Sequence, residues 1–360
     1  MLITTIIVFI LILGLLIFTH EVGHFWVARL VGIKVEEFAF GFPPRLWSRV
    51  KNGTRYAINL LPLGGYVKLL GEERESKNPA SYSQKKPGQR LLVAVAGVFM
   101  NLVLTWILLA MGFLVGMTPL VSDIENMGGT QEKIMVISVL EAGGAAERQG
   151  VKPLSQIVRA KFLGQTLIFQ SVGEVTDFTR SHKGQAIELE LKNLSTGEVY
   201  IKNIELDDDD TPLGAGITAT GKVKMGFLDA VKWASIELYK VLVALVVFIG
   251  SFFKMLFTEG KVAGEGVGPV GLFVITSQAV KLGFAFVLQL TALISINLAI
   301  INILPFPALD GGRALFILLE AGLGRKIVKE QVENIIHSIG FILLLALIVL
   351  ITYRDIVRFF

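Results

Sequence analysis

Residues 1–19 contain no charged side chain, and the runs 91–122, 282–309 and 338–353 are likewise uncharged. Each is near or above the roughly 17 to 25 residues that an α-helix needs to cross a bilayer, so the pattern predicts four transmembrane helices. The first run lacks a basic n-region and an A-x-A cleavage site, and leads straight into His20 and Glu21; it is expected to be retained as a helix rather than removed as a leader. A fifth apolar stretch, 241–253, is bracketed by Lys240 and Lys254 and is too short to cross about 30 Å of hydrocarbon without snorkelling lysines. Upstream of it Phe227, Val231, Ala234, Leu238 and Val241 recur at helical spacing beside Lys232, Glu237 and Lys240, which predicts an amphipathic helix lying on the membrane surface.

Two regions follow the period of a strand instead. Residues 134–206 alternate apolar and polar positions in short runs such as 134–139 and 187–191, with glycine-bearing turns between them, and predict a small β-rich domain. Residues 34–70, with Val35, Phe38, Phe40, Tyr56, Ile58 and Val67 among several glycines, predict strands near the membrane interface. An edge there would clamp an extended peptide by strand addition, and a purely structural sheet covering a cavity is the alternative. The fold class is therefore a polytopic α-helical membrane protein with a membrane-associated β segment and an external β-rich domain. The boundaries place the first span at 1–32, the β segment at 33–72, a loop at 73–90 and the second span at 91–122. The β-rich domain follows at 123–222, the amphipathic helix and a glycine-rich connection at 223–281, the third span at 282–312, a loop at 313–333 and the fourth span at 334–360.

Composition agrees: 360 residues with only 18% charged and a mean hydropathy of +0.64 leave too little polar surface for an ordinary soluble protein. The net charge is +4. The basic residues flank apolar segments instead of forming one patch interleaved with aromatics, so they read as topology signals and no nucleic-acid partner is expected. Cysteine is absent, which removes disulfides and thiolate metal sites. Arg45, Arg49, Lys51, Arg55, Lys85, Lys86 and their basic neighbours place the segment between the first two spans in the cytoplasm. The N-terminus and the β-rich domain then lie outside, and the third span runs inward if 241–253 does not cross. Asp310 thereby emerges on the same side as His24; a crossing by 241–253 would separate them.

His20-Glu21-Val22-Gly23-His24 matches H-E-x-x-H. On a helix this spacing sets both imidazoles on one face, where their nitrogens can share one zinc ion, while Glu21 beside the first ligand can take a proton from water polarised by the metal. Ionisable groups at the end of an uncharged run are costly unless they pair or bind something. A catalytic zinc needs a third protein ligand, and the run from Asn302 to Gly312, interrupted by Pro305 and Pro307, offers Asp310 at matching depth. The alternative is that Asp310 and Gly311 simply form a turn. Asp207 to Asp210 reads as a solvated acidic connector, and His182 and His337 read as structural.

H-E-x-x-H in the first span, paired with N-x-x-P-x-P-x-x-L-D-G near the end, resembles the site-2 protease family, in particular the bacterial RseP-type regulator-of-sigma-E proteases. The likeness covers nearly the whole chain: residues 40–44 and 61–68 resemble the family's membrane-associated β segment, and 89–101 its second span. It implies His20, His24 and Asp310 as zinc ligands, Glu21 as the catalytic carboxylate and Asn302 as a residue near the active site. Phe40, Gly41 and Phe42 match the position of the family's substrate strand, with one glycine where the pattern has two. Residues 139–151 resemble the strand, turn and helix of a PDZ domain. The activity implied is intramembrane cleavage of single-span membrane proteins, anti-sigma factors or remnant signal peptides, in the bacterial inner membrane with the site near the cytoplasmic side. A metal transporter and a catalytically silent membrane adaptor are the competing readings.

Overall fold

A backbone inside hydrocarbon has no water to bond, so an uncharged run must satisfy its own N–H and C=O groups, and in the computed structural model of this chain each uncharged run is helical over most of its length, with the second ending at Val115. The structure describes residues 2–72, 76–121, 123–194, 196–259, 268–325, 328 and 330–359. In chain order the elements are α1 (Leu2–Leu30), β1 (Val35–Lys51), β2 (Thr54–Leu69), α2 (Pro87–Val115), β3 (Thr130–Leu140), α3 (Ala145–Arg148), β4 (Ser155–Phe162), β5 (Gln165–Leu167) and α4 (Val172–Ser181). They continue with β6 (Ala186–Asn193), β7 (Val199–Glu205), β8 (Ala215–Lys224), α5 (Phe227–Glu259), α6 (Pro269–Leu282), α7 (Phe284–Ile303), α8 (Asp310–Leu323) and α9 (Glu330–Phe359).

Among the described residues five helices are long and apolar enough to cross a membrane: α1, α2, α7, the Phe227–Ser251 part of α5 and the Ile335–Arg358 part of α9. The fold is that of a polytopic membrane protein carrying a β domain. The fifth apolar stretch is not a short separate segment: it continues the amphipathic stretch before it in one helix of 33 residues. The third span is shorter than its uncharged run. Pro305 and Pro307 lack the N–H that a helix interior needs, so α7 ends at Ile303 and a new helix, α8, begins at Asp310 and occupies the first part of the stretch expected as a loop. Of the glycine-rich connection, residues 264–267 lie outside the described residues, as do Arg74, Lys326 and Lys329 of the basic flanks.

The chain divides into two compact units, 1–109 with 245–360, and 110–244. In the first, α1 packs on both strands of the hairpin and on α6 and α7, while α6 also touches α9. Ala28, Ile33, Val35, Leu69 and Val93 form a buried cluster that fixes the end of α1 to both strands and to α2. The hairpin is irregular. Phe38 lies opposite both Val67 and Tyr56, so the first half of β1 is flanked by both halves of β2, while Lys51 at its far end pairs with Thr54. Gly65 to Leu69 thereby forms an outer edge.

The second unit holds a six-stranded antiparallel sheet ordered β7-β6-β4-β3-β8, with β5 paired to β4. Alternation along the strands buries Met135, Ile137, Ile187, Leu189, Leu191 and Ile204 on one face, as the period-2 pattern dictates. The acidic connector is tied to this unit: Arg148 donates to Asp207 at 2.5 Å, which holds the Asp207 carboxyl below its usual range. Glu237, fully buried on α5, accepts from the backbone N–H groups of Leu120 and Val121. His182 bonds the Phe178 carbonyl at 2.7 Å in the last turn of α4.

Candidate metal centre

His20 and His24 stand one turn apart on α1, with their Nε2 atoms 3.2 Å from each other. The carboxylate of Asp310, in the first turn of α8, places Oδ2 at 3.1 Å from His20 Nε2 and 3.4 Å from His24 Nε2. Zinc bonds of about 2.0–2.2 Å put neighbouring corners of a tetrahedron about 3.3–3.6 Å apart, so three atoms with these separations suit one face around a single ion. Their environment fits as well. The side chains are only 12%, 13% and 21% exposed, and Asp310 Oδ2 is a buried acceptor with no hydrogen-bond donor of its own. Two imidazoles and one carboxylate make a hard, borderline donor set that binds zinc and leaves the fourth position open.

Neighbouring elements hold these groups. Helix α2 passes close against α1 because Gly23 and Gly97 lack side chains. A Cβ on Gly23 would come within 2.8 Å of the Ala96 carbonyl carbon, and one on Gly97 within 2.7 Å of His20 Nε2 and against His24 Nε2. One turn either side of Gly97, α2 meets the far nitrogens of the same rings: the Val93 carbonyl lies 2.8 Å from His24 Nδ1, and the Asn101 amide lies 3.3 Å from His20 Nδ1. The α7–α8 turn presents Asp310. Ala308 adopts a positive φ of 78° there, and its N–H donates to Nδ1 of His337 on α9 at 2.9 Å. Gly311 and Gly312 fold back so tightly that a Cβ on either would strike backbone of the turn, at Ile303 and Leu304 or at Phe306.

A cavity of about 1070 Å³ opens on the site, lined among others by Glu21, the edge segment Gly65 to Leu69, Glu72, Tyr82, Arg313 and His337. Gly65 leaves room for Glu21: its missing Cβ would sit 3.0 Å from the Glu21 Cγ. Arg313, one turn beyond Asp310, pairs with Glu72, and Arg90 of α2 holds Glu320 of α8 at 2.5 Å, so ion pairs tie α8 to the β2–α2 connection and to α2. The Glu72 carboxylate favours the charged form of Arg313, and burial pushes the Tyr82 phenol up.

The geometry thus brings His20, Glu21, His24 and Asp310 to one cavity. Phe40, Gly41 and Phe42 lie on β1 and Asn302 lies in the last turn of α7, half-buried; none of them is among the residues lining the cavity, which meets β1 at Glu37 and β2 at Gly65 to Leu69. Sequence reasoning missed Gly97, Asn101 and the backbone contact of His337. Asn101 carried a signal, since an amide inside an apolar run is a costly placement without a partner.

The model of peptidase family M50 matches residues 8–347. The chain belongs to peptidase family M50. This is the site-2 protease family, so the chain is a metalloprotease with zinc as its cofactor. M50 relatives align along essentially their whole length. The protein named "Putative zinc metalloprotease CA_C1796" of Clostridium acetobutylicum is 31% identical over 98% of this chain and 97% of its own. "Zinc metalloprotease RasP" of Geobacillus kaustophilus is 27% identical over 99% and 98%, and its namesake in Bacillus licheniformis 28% identical over 99% of each chain.

Proposed function

We propose that the chain is an intramembrane endopeptidase that cleaves transmembrane segments of single-span membrane proteins, with His20, His24 and Asp310 holding the zinc and Glu21 as its general base. The observation that carries this reading is the convergence of the three donor atoms within 4.8 Å of one another, where the uncharged run of α1 ends and beside Glu21 in one cavity. Zinc supplies Lewis acidity that polarises the scissile carbonyl and acidifies water at the site. Glu21 accepts the proton from that water and returns it to the leaving amine nitrogen.

A substrate helix shields its own peptide bonds, so it must unwind to be cut. The outer edge Gly65 to Leu69 lies along the cavity and offers backbone groups to an extended peptide, which supports strand addition on β2 as the clamp. In the proposed orientation, set by the basic residues between α1 and α2, the site faces the cytoplasmic side of a bacterial inner membrane. The six-stranded unit is then the extracytoplasmic, PDZ-like module that screens substrates before they reach the membrane. Transport is the weaker reading because Glu21 sits where hydrolysis needs a base, whereas an ion pathway needs further acidic relays along the spans.

The test uses purified protein with a single-span substrate in lipid vesicles. Glu21→Gln is expected to retain zinc and to lower turnover by about 10²-fold or more; undiminished cleavage by this variant removes Glu21 from the mechanism. Asp310→Ala is expected to lose both zinc and activity, and a full complement of zinc would strike it from the ligand set.

A further inference from the structure

We infer that Asn101 is a positioning residue for the metal centre: its side-chain oxygen accepts the Nδ1–H of His20 and thereby fixes the tautomer in which Nε2 carries the lone pair for zinc. The inference rests on His20 being a ligand, as proposed above. His24 supplies the pattern. Its Nδ1 faces the Val93 carbonyl at 2.8 Å, and a carbonyl can only accept, so Nδ1 bears the proton and Nε2 is left for the metal. His20 must reach the same state, because its Nε2 faces the same point.

The group at His20 Nδ1 is the Asn101 amide, 3.3 Å away. Asn101 is fully buried, and its Oδ1 has no hydrogen-bond partner in the orientation that turns Nδ2 toward the ring. The two ends of an amide have the same shape, and a half-turn about Cβ–Cγ exchanges them. Either orientation leaves one amide atom over; only the oxygen-inward one leaves His20 with a free Nε2. The residue is also well anchored. Its backbone carbonyl accepts from Thr105 Oγ1 at 2.9 Å and from Ser295 Oγ of α7 at 2.8 Å, so α2 is fixed at this depth by a second helix. Acceptors behind metal-bound imidazoles orient the ring and raise its basicity, and losing one weakens metal binding.

The test measures zinc affinity of the detergent-purified protein by competition with a chromophoric chelator, with thermal unfolding of the zinc-free protein as the fold control. Asn101→Leu is expected to bind zinc about 10- to 100-fold more weakly, and its lost cleavage is expected to return at saturating zinc. Asn101→Asp, which can only accept, is expected to keep the affinity. Unchanged affinity in Asn101→Leu overturns the inference. If that variant does not fold, Asn101→Asp decides alone: loss of zinc there means that Asn101 donates, and the inference falls. His20→Ala separates the two readings, because wild-type affinity in that variant removes His20 as a ligand, whereas loss of zinc there with undisturbed Asn101→Leu sinks the inference by itself.

Discussion

At the scale of single residues, the centre depends on what is missing as much as on what is present. His20 and His24 lie against the bare Cα of Gly97, where a methyl group would have to occupy the space of both imidazoles. Gly97→Ala therefore cannot be absorbed by a flexible chain end, since the colliding atoms belong to rigid rings held from both sides by α2. Overpacking of this kind costs about 1–3 kcal/mol or displaces the rings. We expect Gly97→Ala to lose most of its zinc and its activity. Gly88→Ala, in the first turn of the same helix, is the control: its Cβ meets nothing within 4 Å. Metal content by mass spectrometry and cleavage rate check both, and a fully loaded, active Gly97→Ala would refute the packing argument. The H-E-x-x-H residues were legible in sequence because one turn of one helix brings them together. Gly97 and Asn101 were not, because their role exists only once α2 packs across α1, and nothing local in 91–122 encodes which face does so.

At the scale of elements, the break between α7 and α8 decides where the carboxylate points. Two prolines announced the break, yet not its outcome: a second helix that starts at Asp310 and turns back on glycines, with α9 closing over it. Gly340 of α9 approaches so near that a Cβ would lie 2.7 Å from the Pro307 carbonyl carbon, and His337 takes the Ala308 N–H at 2.9 Å. His337 is thus structural, as its isolation from other ligands in sequence suggested, but it serves the metal site through two residues of backbone. His337→Leu leaves a backbone donor unpaired, at a cost of about 1–3 kcal/mol, and frees the turn to move Asp310. His337→Gln can still accept. We expect the leucine variant to unfold at lower temperature and to bind zinc more weakly, with the glutamine variant recovering most of both; equal behaviour of the two would show that the Ala308 hydrogen bond does not set the turn. The continuity of α5 was equally hidden, because Lys240 and Lys254 read as the ends of a segment when taken along the sequence and become two positions on one 33-residue helix in the fold.

At the scale of the whole molecule, the proposed metal site constrains how often the chain crosses the bilayer. The histidines lie toward the C-terminal end of α1 and Asp310 follows the C-terminal end of α7, so these two helices must run in the same direction for their donors to meet, and α2 must run back. Between α2 and α7 the chain then crosses an even number of times. Helix α6 has 14 residues, about 21 Å at 1.5 Å per residue, which falls short of about 30 Å of hydrocarbon. Alone it is too short to return the chain if α5 crosses, so we expect α5 to stay on the outer surface despite its apolar length. The absence of native cysteine makes this directly measurable. Single cysteines at the exposed positions Lys51, Ser181, Thr258 and Arg325 are each to be labelled in intact spheroplasts with a membrane-impermeant maleimide. Ser181 and Thr258 are expected to react from outside, and Lys51 and Arg325 only after the membrane is opened. Protection of Thr258 would mean that α5 crosses and that α6, with the residues before it, brings the chain back. Reaction of Arg325 from outside would put Asp310 and His24 at opposite faces of the bilayer, where they could not share an ion.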